Sequence, residues 1–291
     1  MKIGLGTAQL GLDYGISNPD GKTPLEEAGR ILATAAREGI RVIDTAPSYG
    51  DSEQVLGQIL PSRCGFDVVT KTPVFRKDRI TGQDAALLEE TFRRSLRHLG
   101  VASVYGLLAH HADDLLADGG DRLVERMRLL KSEGKVARIG ASVYTARQID
   151  AILERYDVDT VQVPVSVLDQ RLIASGHLAR LKERGVEVHA RSAFLQGLLL
   201  MEPDRLPPHF HEVRGHLRAF HREARLRGFS PLQAAIGFLA GVPEIDVVIA
   251  GVNDHLQLEE ICRAARPIPT EGFAGFAISD PAILNPSEWR V

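Results

Sequence analysis

Residues 41–71 read RVIDTAPSYGDSEQVLGQILPSRCGFDVVTK. The β-branched run at 41–44 predicts a strand ending on Asp44, and DVVT at 67–70 predicts the next strand. The segment 52–60 between them predicts a helix. A strand, a helix and a strand in this order form a βαβ unit, the building block of a parallel sheet. The same alternation continues on both sides. Strands are predicted at 2–7, 103–109, 137–141, 160–163, 187–190 and 246–250. Helices are predicted at 24–38, 84–99, 122–131, 146–155, 177–184, 213–227, 231–239 and 256–265. The helix at 24–38 has a marked start, with Thr23 as N-cap, Pro24 at the first helical position and Glu26 three after the cap. Gly39 suits its end. In the helix at 84–99, Leu88, Phe92, Leu96 and Leu99 recur near helical spacing. Eight repeats predict an α/β chain closed into a TIM-type (β/α)8 barrel, one domain over 1–291, with the tail 266–291 packing irregularly on its outside.

The length of 291 residues allows two average domains or one such barrel, which needs roughly 250 residues. Apolar residues at 44% and charged residues at 25% are those of an ordinary globular chain. With 35 basic against 38 acidic residues, a net charge of −3 and no polybasic run, the sequence gives no sign of a nucleic-acid partner. Cys64 and Cys262 form neither a CxxC nor a disulfide framework, which predicts two free thiols in a reducing compartment. The opening MKIGLGTAQLG is too short and too glycine-rich for a signal peptide, and no apolar run reaches the ~18 residues of a membrane span. A cytoplasmic location without a membrane partner is therefore expected. The oligomeric state is not readable.

GLGTAQ at 4–9 begins like a dinucleotide fingerprint but has Gln9 at the third glycine, and no P-loop is present. Any nucleotide must be held in another way. In a parallel barrel, chemistry gathers at the C-terminal ends of the strands. Asp44 ends the second strand, and Tyr49 lies in the loop after it. Lys71 follows the third strand, and His110 follows the fourth. An acid, a phenol, an amine and an imidazole thus meet from three neighbouring strands. Reducing a carbonyl needs a hydride on carbon and a proton on oxygen. A phenol, with an ordinary pKa of about 10, is a weak acid at neutral pH. A neighbouring ammonium lowers that value. Asp44 can hold Lys71, and His110 can donate to the developing alkoxide. Singly, each residue has an ordinary structural reading as a turn, packing or surface residue. Their occurrence as a set at successive strand ends carries the argument.

DTAPSYGDSEQVLGQIL at 44–60 resembles the first signature of the aldo-keto reductases. SLRHLGVASVYGLLAH at 95–110 resembles their second signature, and GKVARIGAS at 134–142 their third. VQVPVSVLD at 161–169, QGLL at 196–199 and VVIAGVNDHLQLEE at 247–260 are also similar to family segments. The likeness runs from residue 2 to about 265 and points to a bacterial branch. It implies a catalytic tetrad of Asp44, Tyr49, Lys71 and His110. His110 is preferred to His111 because it keeps the family distance from Leu99 and Gly100. It implies a small carbonyl substrate, met by Tyr14, Tyr49, His110 and His111. It also implies an extended NADPH, with NADH or dual use as the alternative. Thr7 and Asp44 match positions near the nicotinamide ribose, and Ser142 and Gln162 match positions that hold the carboxamide. Ser192, Phe194 and Gln196 fall in a loop over the pyrophosphate. Gly251, Gln257 and Glu260 fall in the adenosine segment.

Three departures from that pattern concern the cofactor. Val143 stands where the family usually has an asparagine. Arg191 stands where it usually stacks a tyrosine on the nicotinamide ring; its guanidinium can stack, pair with a phosphate, or form a salt bridge inside the barrel mouth. Between Gly251 and Ile261 there is no Lys or Arg for a 2′-phosphate, unless Arg263 or another loop supplies one. The long loop at 11–23, with Asp13, Tyr14 and Asn18, is placed at the mouth. Together with LNPSEW at 284–289 it resembles a branch associated with sugar and polysaccharide metabolism, which implies a sugar-like substrate. His209, His211, His216 and His221 share one polar stretch without companion Cys or acidic ligands, so no metal is expected there. The rival readings are a catalytically weak or inactive nicotinamide-binding redox sensor on the same barrel, and a different barrel enzyme such as a hydrolase or isomerase.

Overall fold

A computed structural model of the chain describes residues 2–60 and 65–289; Cys64 lies outside them, and Cys262 is a free, partly buried thiol. Eight strands close in sequence order: β1 Lys2–Gly6, β2 Val42–Asp44, β3 Asp67–Lys71, β4 Val104–Ala109, β5 Val136–Ser142, β6 Thr160–Pro164, β7 Glu187–Arg191 and β8 Val247–Gly251. Each neighbouring pair is parallel, and β8 pairs with β1 to complete the ring. The α/β barrel predicted from the repeating pattern is the observed fold. Helices Leu25–Arg37, Ser52–Ile59, Gly82–Leu99, Asp121–Ser132, Ala146–Arg155, His177–Glu183, Arg214–Leu226, Pro231–Ala240 and His255–Ala264 surround it.

Two core layers hold the barrel. Inside the ring, Val42, Val69, Leu108, Val247 and Ile249 pack together. Outside it, strand residues meet the apolar faces of the helices, among them Leu88, Phe92 and Leu99 of the helix Gly82–Leu99. At the N-terminal end of the ring, Tyr105 donates to Glu187 at 2.7 Å, and Arg138 lies 3.2 Å from the same carboxylate. Buried His189 lies 3.2 Å from its other oxygen. Burial alone would raise the Glu187 pKa, but His189, Tyr105 and Arg138 outweigh it and hold the carboxyl near about 2. This charged plug fills the floor, leaving the opposite end for chemistry.

One predicted cap differs. Pro24 has an extended backbone and is itself the N-cap, so the helix starts at Leu25, with Glu26 and Glu27 in its first turn. The Thr23 hydroxyl is buried without a hydrogen-bond partner among the described residues. In the tail, the helical turns Thr270–Phe276 and Pro281–Leu284 bury Phe273, Ile283 and Leu284. Three of the clustered histidines donate through Nε2 to backbone carbonyls: His209 to Ala282 at 2.9 Å, His216 to Phe276 at 2.8 Å and His221 to Leu199 at 2.8 Å. They tie the tail and the long loop after β7 to the barrel. No helix among the described residues is long and apolar enough to cross a membrane.

Candidate active site

Successive strand side chains point to opposite faces, so positions two apart share a face. Val42, Val69 and Leu108 point into the barrel. The next inward positions along their strands are Asp44, Lys71 and His110. The three chemical groups therefore crown the inner apolar layer. The same rule on β7 puts Arg191 two positions beyond His189.

Tyr49 comes from the loop after β2, which is pressed against the turn Ala8–Gly11. Gly50 has φ +56°, and a Cβ there would lie 2.1 Å from the Gly11 carbonyl oxygen. A Cβ on Gly11 would lie 1.9 Å from the Tyr49 carbonyl oxygen. The two glycines permit this close contact, and Ser52 secures it by donating to the Thr7 carbonyl at 2.9 Å.

Lys71 is 1% exposed, and its Nζ donates to Asp44 Oδ2 at 2.7 Å and to the Thr45 carbonyl at 3.0 Å. The same Nζ lies 4.9 Å from the centre of the Tyr49 ring. Gln162 Nε2 donates to Asp44 Oδ1 at 2.7 Å, so both carboxylate oxygens are engaged. The Tyr49 and His110 rings meet edge to face at 5.9 Å. Ser48 Oγ lies 3.2 Å from His110 Nδ1.

Burial would lower the Lys71 pKa, but the Asp44 charge and hydrogen bond more than offset it, and the value is raised. For Tyr49, burial raises the pKa and outweighs the lowering by Lys71. This corrects the expectation of a net lowered phenol: the ammonium acts in the expected direction, but desolvation wins. Tyr49 is therefore a protonated phenol at neutral pH. Burial, with the Lys71 and Arg191 charges, lowers His110 to about 3.

A cleft of about 690 Å³ opens above these groups and runs from Asp44, Tyr49 and His110 past Arg191 to Gln257 and Glu260. Tyr14, Thr7, Ser142, Gln162, Ser192, Phe194, Gln196 and Gly251 also line it. Lys71 lies buried below the lining. His111 is not brought in: its Nδ1 lies 3.3 Å from Asp114 Oδ1, away from the cleft lining. Asp114 also accepts from the amides of Phe75 and Arg76 at 2.9 and 2.8 Å, which ties it to the loop after β3.

Several predicted contact residues already have protein partners. Thr7 donates to the Asp44 carbonyl at 3.0 Å. Ser142 Oγ accepts from Arg191 Nε at 3.3 Å, and one Gln162 Nε2 hydrogen goes to Asp44. Gln257 Oε1 accepts from the Asn253 amide at 2.9 Å, while Asp254 caps the helix His255–Ala264 through the Gln257 amide. The Arg191 guanidinium also donates to Ser192 Oγ at 3.2 Å and to the Val143 carbonyl at 3.1 Å. It lies 4.1 Å over the Tyr144 ring. Tyr144, Gln9 and Asn253 line the cleft and were missed in the sequence. Tyr144 had one available signal: it lies two residues beyond Ser142, the last residue of β5.

Ser192, Leu195 and Gln196 have φ of +60°, +47° and +53°, a left-handed run of non-glycine residues in the loop after β7. Such strain concentrates where a surface must be shaped. Ser17 donates to the Gln196 carbonyl at 3.4 Å and joins the N-terminal loop to this one. The Gln9 side-chain oxygen is buried on the cleft wall without a partner among the described residues. A Cβ on Gly251 would lie 2.6 Å from it, so the wall is closely fitted there.

The model of the aldo/keto reductase family matches residues 2–278. The aldo-keto reductase YhdN of Bacillus subtilis is 25% identical over 284 residues, 89% of this chain and 83% of that protein. The NADH-specific methylglyoxal reductase of Escherichia coli is 29% identical over 215 residues, 68% of this chain and 65% of that protein. Among solved structures, the holo form of aldo-keto reductase AKR11C1 from Bacillus halodurans superimposes with a TM-score of 0.77 at 22% identity, covering 99% of this chain and 94% of that one. Glycerol dehydrogenase AKR11B4 from Gluconobacter oxydans gives 0.73 at 24% identity, covering 94% and 89%. At these identities the structural likeness carries the fold alone. The family match spans the strands and loops that build the mouth, and the chain belongs to the aldo/keto reductase family of NAD(P)H-dependent oxidoreductases that act on carbonyl and alcohol groups.

Proposed function

We propose that the chain reduces a small polar aldehyde or ketone, with Tyr49 as the proton donor. The carrying observation is the buried Lys71–Asp44 pair at 2.7 Å, placed beneath the Tyr49 ring. A buried ion pair contributes little net stability, so its position under a phenol has a chemical rationale. Asp44 holds the ammonium, and the ammonium stabilises the phenolate left when Tyr49 gives up its proton. His110 is neutral. In the tautomer whose Nδ1 accepts from Ser48 Oγ, the proton sits on Nε2, and that N–H donates to the substrate oxygen. Tyr49 donates to the same oxygen and transfers its proton as negative charge develops there.

The cleft fits a nicotinamide dinucleotide. Its volume of about 690 Å³ lies within the usual range for cofactor sites, and polar groups line both ends, Tyr49 and His110 at one and Asn253, Gln257 and Glu260 at the other. When bound, that cofactor supplies the hydride. Arg191 and Phe194 would flank it, Ser192 and Gln196 would cover it, and Gln257 and Glu260 would border its adenosine end. The adenosine end favours NADH over NADPH. Glu260 lines it, and Arg263 is paired with Glu259 at 2.7 Å on the helix surface. A 2′-phosphate would meet a carboxylate there, whereas a ribose diol can donate to one.

Titration of NADH and NADPH by fluorescence, followed by oxidation of the reduced cofactor with a panel of small aldehydes, tests this reading. Saturable binding with turnover, and tighter NADH than NADPH, is expected. Binding without turnover on any aldehyde would favour a redox-sensing role, and tighter NADPH would overturn the assignment of the adenosine end.

A further inference from the structure

The cleft contains one Lys or Arg among its lining residues, Arg191. Its three hydrogen-bond partners, Ser142, Ser192 and the Val143 carbonyl, are all neutral. They hold its edges, and Tyr144 covers one face of its plane at 4.1 Å. Its remaining surface lines the cleft and presents a fixed positive charge to a ligand there.

Its place relative to the chemistry follows from the tetrad. A hydride must reach the carbonyl carbon whose oxygen Tyr49 and His110 hold, so the nicotinamide ring must lie beside those two groups. Arg191 lines the same cleft as Tyr49 and His110 and is anchored on Ser142 at the end of β5, and its charge lowers the pKa of both groups. The reduced ring is neutral and the oxidised ring is a cation. A guanidinium attracts a neutral π-face and repels a like charge in a desolvated cleft.

We infer that Arg191 makes this protein bind the reduced nicotinamide more tightly than the oxidised one. The inference rests on the nicotinamide reading above and adds a direction to it. Tighter holding of the reduced form makes the bound couple more oxidising than the free one, by about 30 mV for each tenfold in the affinity ratio. The same site is thereby suited to taking a hydride from an alcohol as well as giving one to a carbonyl.

Dissociation constants for NADH by fluorescence and for NAD+ by calorimetry test it, in the wild type, Arg191→Gln and Arg191→Lys. The Kd ratio, oxidised over reduced, compares two ligands on one preparation, so incomplete folding of a variant does not distort it. Arg191→Gln is expected to lower the ratio about tenfold, equivalent to about 1.4 kcal/mol, mainly by improving NAD+ binding. Arg191→Lys, which keeps the charge, is expected to retain most of the bias. An unchanged ratio in Arg191→Gln overturns the inference while leaving the nicotinamide reading intact. Equal weakening of both forms also overturns it and makes Arg191 a phosphate anchor. Failure of the wild type to bind either form overturns both.

Discussion

Burial, with the Lys71 and Arg191 charges near it, lowers His110 to about 3, so its ring is neutral across the physiological range. A neutral imidazole can donate a hydrogen bond to a carbonyl but is not the acid that protonates it. The direction matters for pH: an unperturbed histidine would titrate near about 6.5, whereas this one gains its proton only far below that. The kcat/KM profile, which reports the free enzyme, is therefore expected to be flat between about pH 5 and 8. A limb near 6.5 that disappears in His110→Gln would contradict the neutral assignment. Tyr49, raised by burial, remains protonated over the same range, as the proposed donor must.

At the scale of elements, Tyr49 is positioned by backbone contact. Gly50 has φ +56° and lies against Gly11. Gly50→Ala would add a Cβ 2.1 Å from the Gly11 carbonyl oxygen, in a backbone region that costs an L-residue about 1–2 kcal/mol. The loop must move, and a displacement of about 1 Å at a reacting group can cost about 100-fold in rate. A fall in kcat much larger than any loss of cofactor affinity is expected, read from kinetics beside a binding titration. Unchanged kcat would show that the glycine contact does not set the tyrosine.

The sequence made the elements legible because their signals are local: β-branched runs, helical spacing and the strand-end residues Asp44, Lys71 and His110 all follow from period and position. What it hid depends on partners far along the chain. Gln162, matched to a carboxamide contact, also holds Asp44 across 118 residues while still lining the cleft. Arg191 stacks on Tyr144 through the approach of the β5 and β7 ends around the mouth, which no local pattern announces. His111, read from the sequence as a substrate contact beside His110, turns to Asp114, a partner three residues on that only the fold reveals. Thr23 before Pro24 has the form of an N-cap, but the extended conformation of Pro24 moves the cap one residue on.

Taken whole, the barrel separates its two ends. The floor is filled by Tyr105, Arg138, Glu187 and His189, and the mouth carries the cleft. The loops that meet through Ser17 and Gln196 extend over the mouth, and the tail reaches it at Pro286. Charge is distributed accordingly: a neutralised Lys71–Asp44 pair lies under the tyrosine, and Arg191 carries its positive charge among neutral partners. On the proposed reading, such a site holds a reacting oxygen between two donors, Tyr49 and His110. The central claim is that one of those donors, Tyr49, gives up its proton. Tyr49→Phe keeps the ring and removes only the hydroxyl, so single-turnover oxidation of bound NADH by a reactive aldehyde tests it most directly. The account predicts a rate lower by about 10²–10⁴-fold with cofactor affinity little changed. A wild-type rate in that variant would contradict it.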